Sequence, residues 1–343
     1  DTSGLHVGRS PLYRARNLEA LTGMTALYIK DDSHNPTSSL KDRASAMAVV
    51  KASEAGVSTL ACSSTGNAAS SLAGNAAARG FKTYIFVPAR APKAKLTQLQ
   101  IYGATVVSVQ GDYGATFRLS AEAIGRWGWY NRNAAINPYL SEGKKTVAYE
   151  IAEQLHWEVP AYVALSVGDG CTIAGVWKGF LDLYHAGFVK QLPKLISVQA
   201  EGCCPINNAV RNSSEELIPM EENTLADSIA VGTPRNFLKA VRAIRESGGL
   251  TVNVSDTEIL AAIALLGRTS GVFGEPAGVA GTAGVMKLIK NGQLRKDATV
   301  VSIVTGNGLK DIANAQKSVN DPISVPPSME QLLEAFRKAG GPQ

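Results

Sequence analysis

The segment YVALSVGDGCTIAGVWKGFLDLYHA, residues 162–186, contains the pattern on which the fold depends. Residues 162–167 form a mostly apolar run that predicts a buried strand. Glycines 168 and 170 interrupt this run, and residues 173–186 then place apolar side chains at helical spacing. A strand that is apolar on both faces and leads directly into a helix is typical of buried parallel sheets. The segment therefore predicts an α/β fold.

Short strand patterns alternate with helical patterns along most of the chain. Further strands are predicted at residues 59–62, 83–87, 105–109, 195–199 and 299–304. One series precedes the quoted segment and another starts with it, which predicts two sheets covered by helices. Residues 201–250 are the least regular stretch, and we expect loop at residues 207–208 and 211–214.

The composition excludes several classes of protein. The chain has 343 residues, 45% of them hydrophobic and 18% charged, which argues against a disordered protein. The net charge of +5 is spread without a run of like charges and aromatics are 6%, so we expect no nucleic-acid or membrane partner. No apolar stretch approaches the roughly 20 residues of a membrane span. The four cysteines and four histidines form no ligand pattern, so we expect no metal site and reduced thiols in a cytosol.

Lys41 is the first candidate for chemistry. The segment NPTSSLKDR, residues 35–43, places this lysine in the first turn of a predicted helix. The positive end of the helix dipole would lower the pKa of the amine and favour its neutral, nucleophilic form. An ordinary surface lysine on an amphipathic helix is the alternative.

Three further loops follow predicted strands, and each has a simpler structural explanation beside its functional one. SSTGN, residues 63–67, offers hydroxyls and free N–H groups to a carboxylate or phosphate, or is a plain helix N-cap. VGDGCT, residues 167–172, predicts a cradle for one phosphate, or a tight turn. Its glycine spacing fits neither a dinucleotide fingerprint nor a P-loop. TGNGLKD, residues 305–311, places Thr305 at a strand's carboxyl end, where ligands bind, or is a glycine-rich strand exit.

A carboxylate completes the set. Glu275, in the segment EPAG, opens another predicted helix and serves either the site or the helix N-terminus. An amine nucleophile, a monophosphate cradle, a strand-end hydroxyl and a carboxylate loop together match the needs of one small cofactor, pyridoxal phosphate.

The segments NPTSSLKDR, SSTGN, EPAG and TGNGLKD, together with INPYLSEGKKTVAYEIAEQL (residues 136–155), resemble five sequence blocks of the fold-type II pyridoxal-phosphate enzymes, and most closely those of threonine synthases. The resemblance implies two open twisted α/β/α domains with the cofactor in the cleft between them. It implies a larger domain of residues 1–50 plus 140–343 and a smaller domain of residues 51–139.

The resemblance also assigns roles to individual residues. Lys41 would carry the cofactor as a Schiff base, Asn67 would contact its 3′-oxygen and Thr305 would be the partner of its pyridine nitrogen. The cofactor phosphate would bind to Gly168, Asp169, Gly170, Cys171 and Thr172. The substrate's α-carboxylate would bind to Ser64, Thr65, Gly66, Asn67 and Ala68.

One departure from the family concerns the substrate. Family members carry an arginine shortly after the Asn-Pro of residues 137–138, where it helps to bind the substrate's phosphate, and Leu140 stands there in this chain. Lys144, Lys145 and the hydroxyls of residues 38–39 and 63–65 are the candidates to replace it.

The resemblance implies a lyase that converts O-phospho-L-homoserine and water to L-threonine and phosphate, as a cytoplasmic homodimer. A serine/threonine dehydratase or an O-phosphoserine-type β-replacement enzyme is the nearest alternative, because it would share every cofactor residue. A non-catalytic relative that binds an amino acid or nucleotide is a third, although it would need no Schiff-base lysine.

Overall fold

A computed structural model describes residues 4–91, 93–134 and 136–339 of the chain. In those residues the strands form one six-stranded and one four-stranded sheet. The strands are β1 (Leu12–Arg14), β2 (Ala26–Asp31), β3 (Thr59–Ser63), β4 (Lys82–Pro88), β5 (Thr105–Val109), β6 (Tyr130–Asn131), β7 (Tyr162–Ser166), β8 (Lys194–Ala200), β9 (Leu250–Val254) and β10 (Thr299–Val304). The α-helices are α1 (Arg16–Thr22), α2 (Lys41–Glu54), α3 (Asn67–Ala77), α4 (Lys93–Ile101), α5 (Tyr113–Trp127), α6 (Tyr139–Lys144), α7 (Thr146–Gln154), α8 (Cys171–His185), α9 (Pro205–Arg211), α10 (Phe237–Glu246), α11 (Asp256–Ser270), α12 (Pro276–Lys290), α13 (Ile312–Gln316) and α14 (Met329–Ala339). Short 3-10 helices occupy Asp32–His34, Asp227–Ile229 and Gly308–Asp311.

The larger sheet has the strand order β1-β2-β10-β7-β8-β9. Strand β1 is antiparallel to β2, and all other neighbours are parallel. Strand β10 comes last in sequence but lies between β2 and β7, with Val304 opposite Asp31 and Ser302 opposite Ala164. The loops that follow β2, β10 and β7 therefore emerge side by side at the carboxyl edge, where open parallel sheets bind ligands.

The smaller sheet has the order β5-β4-β3-β6 and is parallel throughout. Its fully buried residues Leu60 and Ile85 share a hydrophobic core with Leu72 of α3. Helix α3 is rich in alanine and serine, which lets it approach α2 closely enough for the Oγ atoms of Ser45 and Ser71 to lie 2.7 Å apart. The loop that leads from β3 into α3 is thereby held next to α2.

The two sheets confirm the predicted α/β class and the two strand series. Residues 51–139 contain all four strands of the smaller sheet. The core of this sheet also includes Ala44 of α2 and Leu140 of α6. The domain boundaries at residues 50 and 140 stay a prediction.

Residues 201–250, the stretch with the least regular sequence pattern, contain helices. They contain α9, α10 and the start of β9. Helix α10 places Phe237, Val241 and Ile244 at spacings of four and three and buries them in the core. The loop expected at residues 207–208 is wrong, because both asparagines lie inside α9, which also includes residue 211. Residues 212–214 lie outside helices and strands, as expected.

Three further features of the described ranges bear on the classes considered above. No helix in them has the length and apolarity needed to cross a membrane. They contain no cluster of three or more His, Cys, Asp or Glu side chains placed to hold a metal ion. All four cysteines are free and buried.

Candidate active site

Two adjoining cavities lie where the carboxyl ends of the two sheets face each other. The inner cavity has a volume of about 90 Å³ and is lined by Lys41, Thr305, Lys144 and the loop after β7. The outer cavity, of about 280 Å³, is lined by the loop after β3 and by residues around Lys310. Four residues line both cavities: Asn67, Ser228, Glu275 and Ala277. The predicted cofactor residues are thus brought together in one cleft.

The turn before Lys41 is fastened to the end of β10. The Leu40 N–H donates to the Thr305 carbonyl at 2.9 Å, and the Asn307 N–H donates to the Ser38 carbonyl at 3.1 Å. Ser38 has a φ of +68°, a left-handed conformation that turns the chain sharply into α2. These contacts place Lys41 at the first position of α2, as predicted, with Thr305 beside it.

The Lys41 ammonium lies in an environment that opposes its charge. Burial lowers the pKa of Lys41 to about 8, and the neighbouring cations Lys144 and Arg132 lower it as well. Glu275 acts in the opposite direction. The pKa is shifted in the expected direction, with burial as the largest cause. Within the described residues the Lys41 Nζ has no hydrogen-bond partner, so it is free to react.

A network of buried charges anchors α2 two residues after Lys41. The Arg43 Nε donates to Asp32 Oδ2 at 2.7 Å and its Nη1 to Glu150 Oε1 at 2.5 Å. Lys30 is fully buried and donates to Glu150 Oε2 at 2.7 Å. These contacts tie α2 to β2 and α7, so the orientation of the helix that carries Lys41 is fixed by charge as well as by packing.

The loop after β7 has the geometry of an anion cradle. Gly170 has a φ of +88°, and a Cβ on it would lie 2.7 Å from the Cβ of Ala240. A Cβ on Gly168 would lie 2.8 Å from the Cα of Ile229. In the described chain the N–H groups of residues 168–170 donate to no protein acceptor, and α8 begins directly after them. Free N–H groups at a helix N-terminus suit a phosphate, so the loop fits the cofactor's phosphate group.

Two side chains of this loop face different surroundings. The Asp169 carboxylate accepts from the Arg235 N–H and the Asn236 Nδ2, both at 2.8 Å, which commits it to the start of α10. A carboxylate in the phosphate loop therefore has a structural role and need not repel the ligand. Burial raises the pKa of the Cys171 thiol, but Lys144 and Ser141 lower it by a larger amount. The pKa of Cys171 therefore lies below its ordinary value.

Thr305 and Asn67, to which the resemblance assigns contacts with the cofactor ring, both line the inner cavity. Thr305 lines the inner cavity at the end of β10, and its hydroxyl has no partner among the described residues. The Asn67 Nδ2 donates to Glu275 Oε1 at 2.7 Å. Burial raises the pKa of Glu275, which favours its neutral form. Glu275 precedes α12 without capping it, so its carboxyl serves the cavity rather than the helix N-terminus.

The predicted carboxylate loop contributes to the outer cavity. Thr65, Gly66 and Asn67 line it, whereas Ser64 and Ala68 do not. The Ser64 Oγ instead accepts from the Gly66 N–H at 3.2 Å, which shapes the loop. A lysine, a glycine loop with free N–H groups, a hydroxyl at a strand end and a loop with hydroxyl and N–H groups line the two cavities, so the residues fit pyridoxal phosphate and an amino acid.

The candidates for the missing arginine behave differently from one another. Lys144 is buried and lines the inner cavity beside Cys171. Lys145 points away and pairs with Glu142 at 2.6 Å and Asp182 at 2.7 Å, so the structure does not bring it to the site. Leu140 is completely buried in the core under the smaller sheet.

Sequence reasoning missed several residues of the cleft. Ser228 and Ile229 reach it from the irregular segment before α10, where no local pattern marked them. Lys310 lines the outer cavity and donates to Ser70 Oγ and Gln98 Oε1, both at 3.1 Å. Lys310 belongs to the TGNGLKD segment, which was already assigned to the site through Thr305, so this motif could have identified it. Arg132 is buried and was also missed, although it lies close to the Asn-Pro of residues 137–138.

Comparison with known sequences agrees with this geometry. The family described as pyridoxal-phosphate dependent enzyme matches residues 4–306. The chain is 39% identical over 333 residues to threonine synthase of Methanocaldococcus jannaschii, which covers 96% of this chain and 82% of the relative. It is 40% identical over 336 residues to threonine synthase of Methanosarcina acetivorans, covering 97% and 82%.

Solved structures share the fold. The processed form of threonine deaminase isoform 2 from Solanum lycopersicum superposes with a TM-score of 0.79 at 22% identity, covering 90% of this chain and 87% of that one. Maize serine racemase gives 0.77 at 19% identity, covering 97% and 93%. The two-sheet architecture is therefore that of fold-type II, and the chain belongs to the family of pyridoxal-phosphate dependent enzymes.

Proposed function

We propose that the chain is a pyridoxal-phosphate-dependent lyase that converts O-phospho-L-homoserine and water to L-threonine and phosphate. The observation that carries the proposal is the partly buried Lys41, with its lowered pKa, beside the phosphate cradle and Thr305. Similarity to curated threonine synthases across nearly the whole chain supports this choice of reaction.

The residues of the inner cavity would hold the cofactor. Lys41 Nζ would attach it as a Schiff base, and the N–H groups of residues 168–172 would bind its phosphate. Thr305 would meet the ring nitrogen with a neutral hydroxyl, and Asn67, oriented by Glu275, would face the 3′-oxygen. When bound, pyridoxal phosphate supplies an electron sink for a carbanion at the substrate's Cα.

Lys41 is also the base of the proposed reaction. Its pKa of about 8 provides an appreciable neutral fraction near physiological pH, as a group that moves protons at Cα and Cβ requires. Cα and Cβ each lose a proton, and the γ C–O bond breaks with loss of phosphate. Cγ then gains a proton to become the methyl group, and water supplies the hydroxyl at Cβ and the proton that returns to Cα. A neutral hydroxyl at the ring nitrogen favours this elimination over transamination. The loop of residues 64–68 would hold the α-carboxylate during these steps.

A second candidate is a threonine or serine dehydratase. The observation that favours it is Leu140, which is buried in the core and offers no donor to a substrate phosphate. The loss of a bidentate arginine weakens phosphate recognition. A dehydratase would use the same cofactor residues and would need no phosphate subsite.

A product screen separates the two candidates. Purified holoenzyme is incubated with phosphohomoserine, threonine, serine and phosphoserine, and threonine, phosphate and ammonia are measured. We expect equimolar threonine and phosphate from phosphohomoserine. Ammonia release from threonine or serine without any turnover of phosphohomoserine would establish the dehydratase instead.

We also propose that the enzyme is a cytoplasmic homodimer. Four free, buried thiols support a reducing compartment, and the family resemblance supports the dimer. Light scattering on the purified protein should give twice the chain mass of 36.1 kDa. A mass of one chain at micromolar concentration would contradict the dimer.

A further inference from the structure

Three polar residues form an unexplained group at the cleft side of the smaller sheet. Ser63 ends β3, and Arg132 and Asn133 directly follow its neighbour β6. The Arg132 N–H donates to the Ala61 carbonyl at 2.9 Å, and the Ser63 N–H donates to Asn133 Oδ1 at 2.8 Å. The three side chains are thus fixed at the carboxyl ends of two adjacent parallel strands.

Each of these side chains has a buried polar atom without a partner. The atoms are Ser63 Oγ, Arg132 Nη2 and Asn133 Nδ2, in residues that are 4%, 2% and 3% exposed. In the described part of the chain only one other buried side-chain atom is in this state, Ser39 Oγ, two residues before Lys41. Folded proteins rarely leave buried donors unpaired, so a cluster of them calls for a ligand.

The group also carries a positive charge that no carboxylate neutralises. The Arg132 Nε donates to the neutral Ser45 Oγ at 3.0 Å, and no ion pair of Arg132 or Lys144 occurs within the described ranges. Asp42 is near, but its oxygens accept from Thr37 and Asn75. Buried cations without a counter-ion are strongly unfavourable, so the arrangement calls for an anion.

The position of the cluster connects it to the reacting end of the cleft. Arg132 interacts electrostatically with Lys41 and Cys171, which both line the inner cavity. Ala134, two residues after Arg132, lines this cavity, as does Lys144. The anion would therefore lie beside the Lys41 amine and apart from the N–H groups of the 168–172 cradle.

We propose that Ser63, Arg132 and Asn133 form, with Lys144, the subsite that binds the phosphate group of the substrate. A guanidinium, an amide NH₂, a hydroxyl and an ammonium can all donate, which matches the acceptor oxygens of a phosphate. The 168–172 cradle accounts for the cofactor's phosphate, and the 64–68 loop accounts for the substrate's α-carboxylate. The substrate's own phosphate is the anion that has no other site. Arg132, directly after β6, thereby supplies the positive charge that Leu140 cannot provide. This inference rests on the proposed function.

The test compares Arg132→Met with Arg132→Lys and with Arg126→Met, an exposed arginine of α5 as the matched control. Kinetics with phosphohomoserine, calorimetric binding of inorganic phosphate to the holoenzyme and the cofactor Kd are measured for each. We expect Arg132→Met to raise the KM for phosphohomoserine by about 10- to 100-fold and to abolish phosphate binding, with the cofactor Kd changed less than about threefold. Arg132→Lys should recover part of both losses, and Arg126→Met should match the wild type.

Ser63→Ala provides a variant that removes no contact within the protein. It should fold normally and raise the KM by about 2- to 10-fold. Equal KM and equal phosphate binding in wild type and Arg132→Met would overturn the subsite even if threonine is formed. A large loss of cofactor affinity with unchanged phosphate binding would assign Arg132 to the cofactor and overturn it too. If the wild type binds phosphate in an Arg132-dependent way but never turns over phosphohomoserine, the subsite stands and the proposed reaction fails.

Discussion

Replacing Glu150 by Gln should loosen the anchor of the helix that carries Lys41. Glu150 accepts from Arg43 and from Lys30, and these cations lower its pKa from 4.5 to about 2 against the effect of burial. A shift of this size corresponds to about 3 kcal/mol of folding free energy, and the side chain is only 14% exposed, so solvent screens little of it. Gln keeps the shape but leaves Arg43 with Asp32 and deprives buried Lys30 of its carboxylate partner.

The pH dependence gives this prediction its sign. A carboxylate with a lowered folded-state pKa stabilises the protein above the unfolded pKa of about 4.5, and that contribution is lost as the pH falls towards 2. Urea unfolding at pH 7 should therefore show a loss of about 3 kcal/mol for Glu150→Gln. The difference from wild type should shrink steadily between pH 5 and about pH 2.

A control on the same helix separates charge from helix propensity. Glu153 is exposed on α7, and Glu153→Gln should change the free energy of unfolding by no more than about 0.5 kcal/mol. The reasoning is refuted if Glu150→Gln is as stable as this control at pH 7. It is refuted equally if the loss is the same at pH 7 and pH 3.

Three further predictions concern the cofactor. Lys41→Ala should abolish covalent attachment that borohydride can trap, with an unchanged far-UV circular dichroism spectrum; a trapped adduct in this variant would assign the attachment to another lysine. Thr305→Val removes the hydroxyl at constant shape and should weaken cofactor binding by about 1–3 kcal/mol in a fluorescence titration, whereas an unchanged Kd would contradict the assigned ring-nitrogen contact. Lys144→Met removes a cation that lowers the pKa of Lys41, so the pH midpoint for covalent cofactor attachment to the apoenzyme should move upward from about 8; a midpoint that stays in place would show that Lys144 does not act on Lys41.

The local elements of the site were predictable because a short, continuous stretch of sequence determines each of them. A strand, a glycine turn and a helix start define the cradle, and the same holds for the turn that precedes Lys41. The pairing of Asn67 with Glu275 was not predictable, because it joins two loops that only the fold brings together. Lys145 shows the converse limit. It lies between α6 and α7 and points away, whereas Lys144, the last residue of α6, lines the cavity.

Arg132 was hidden for a related reason. Its neighbours in sequence are polar, as in an ordinary surface loop, and nothing local indicates that it is buried. Its burial results from the parallel pairing of β6 with β3, from which β4 and β5 separate it in the sequence. Such contacts depend on the complete topology, which a pattern of apolar and polar residues does not specify.

The insertion of β10 between β2 and β7 has a consequence for synthesis of the chain. Until Thr299–Val304 has left the ribosome, β2 and β7 lack their shared neighbour and expose open edges that can pair with other chains. Lys41 emerges early, yet Thr305 and the carbonyl that fixes Leu40 emerge only near the end. A nascent chain therefore cannot assemble the cofactor site as it is translated, and fragments that stop before β10 should depend on chaperones and fail to retain pyridoxal phosphate.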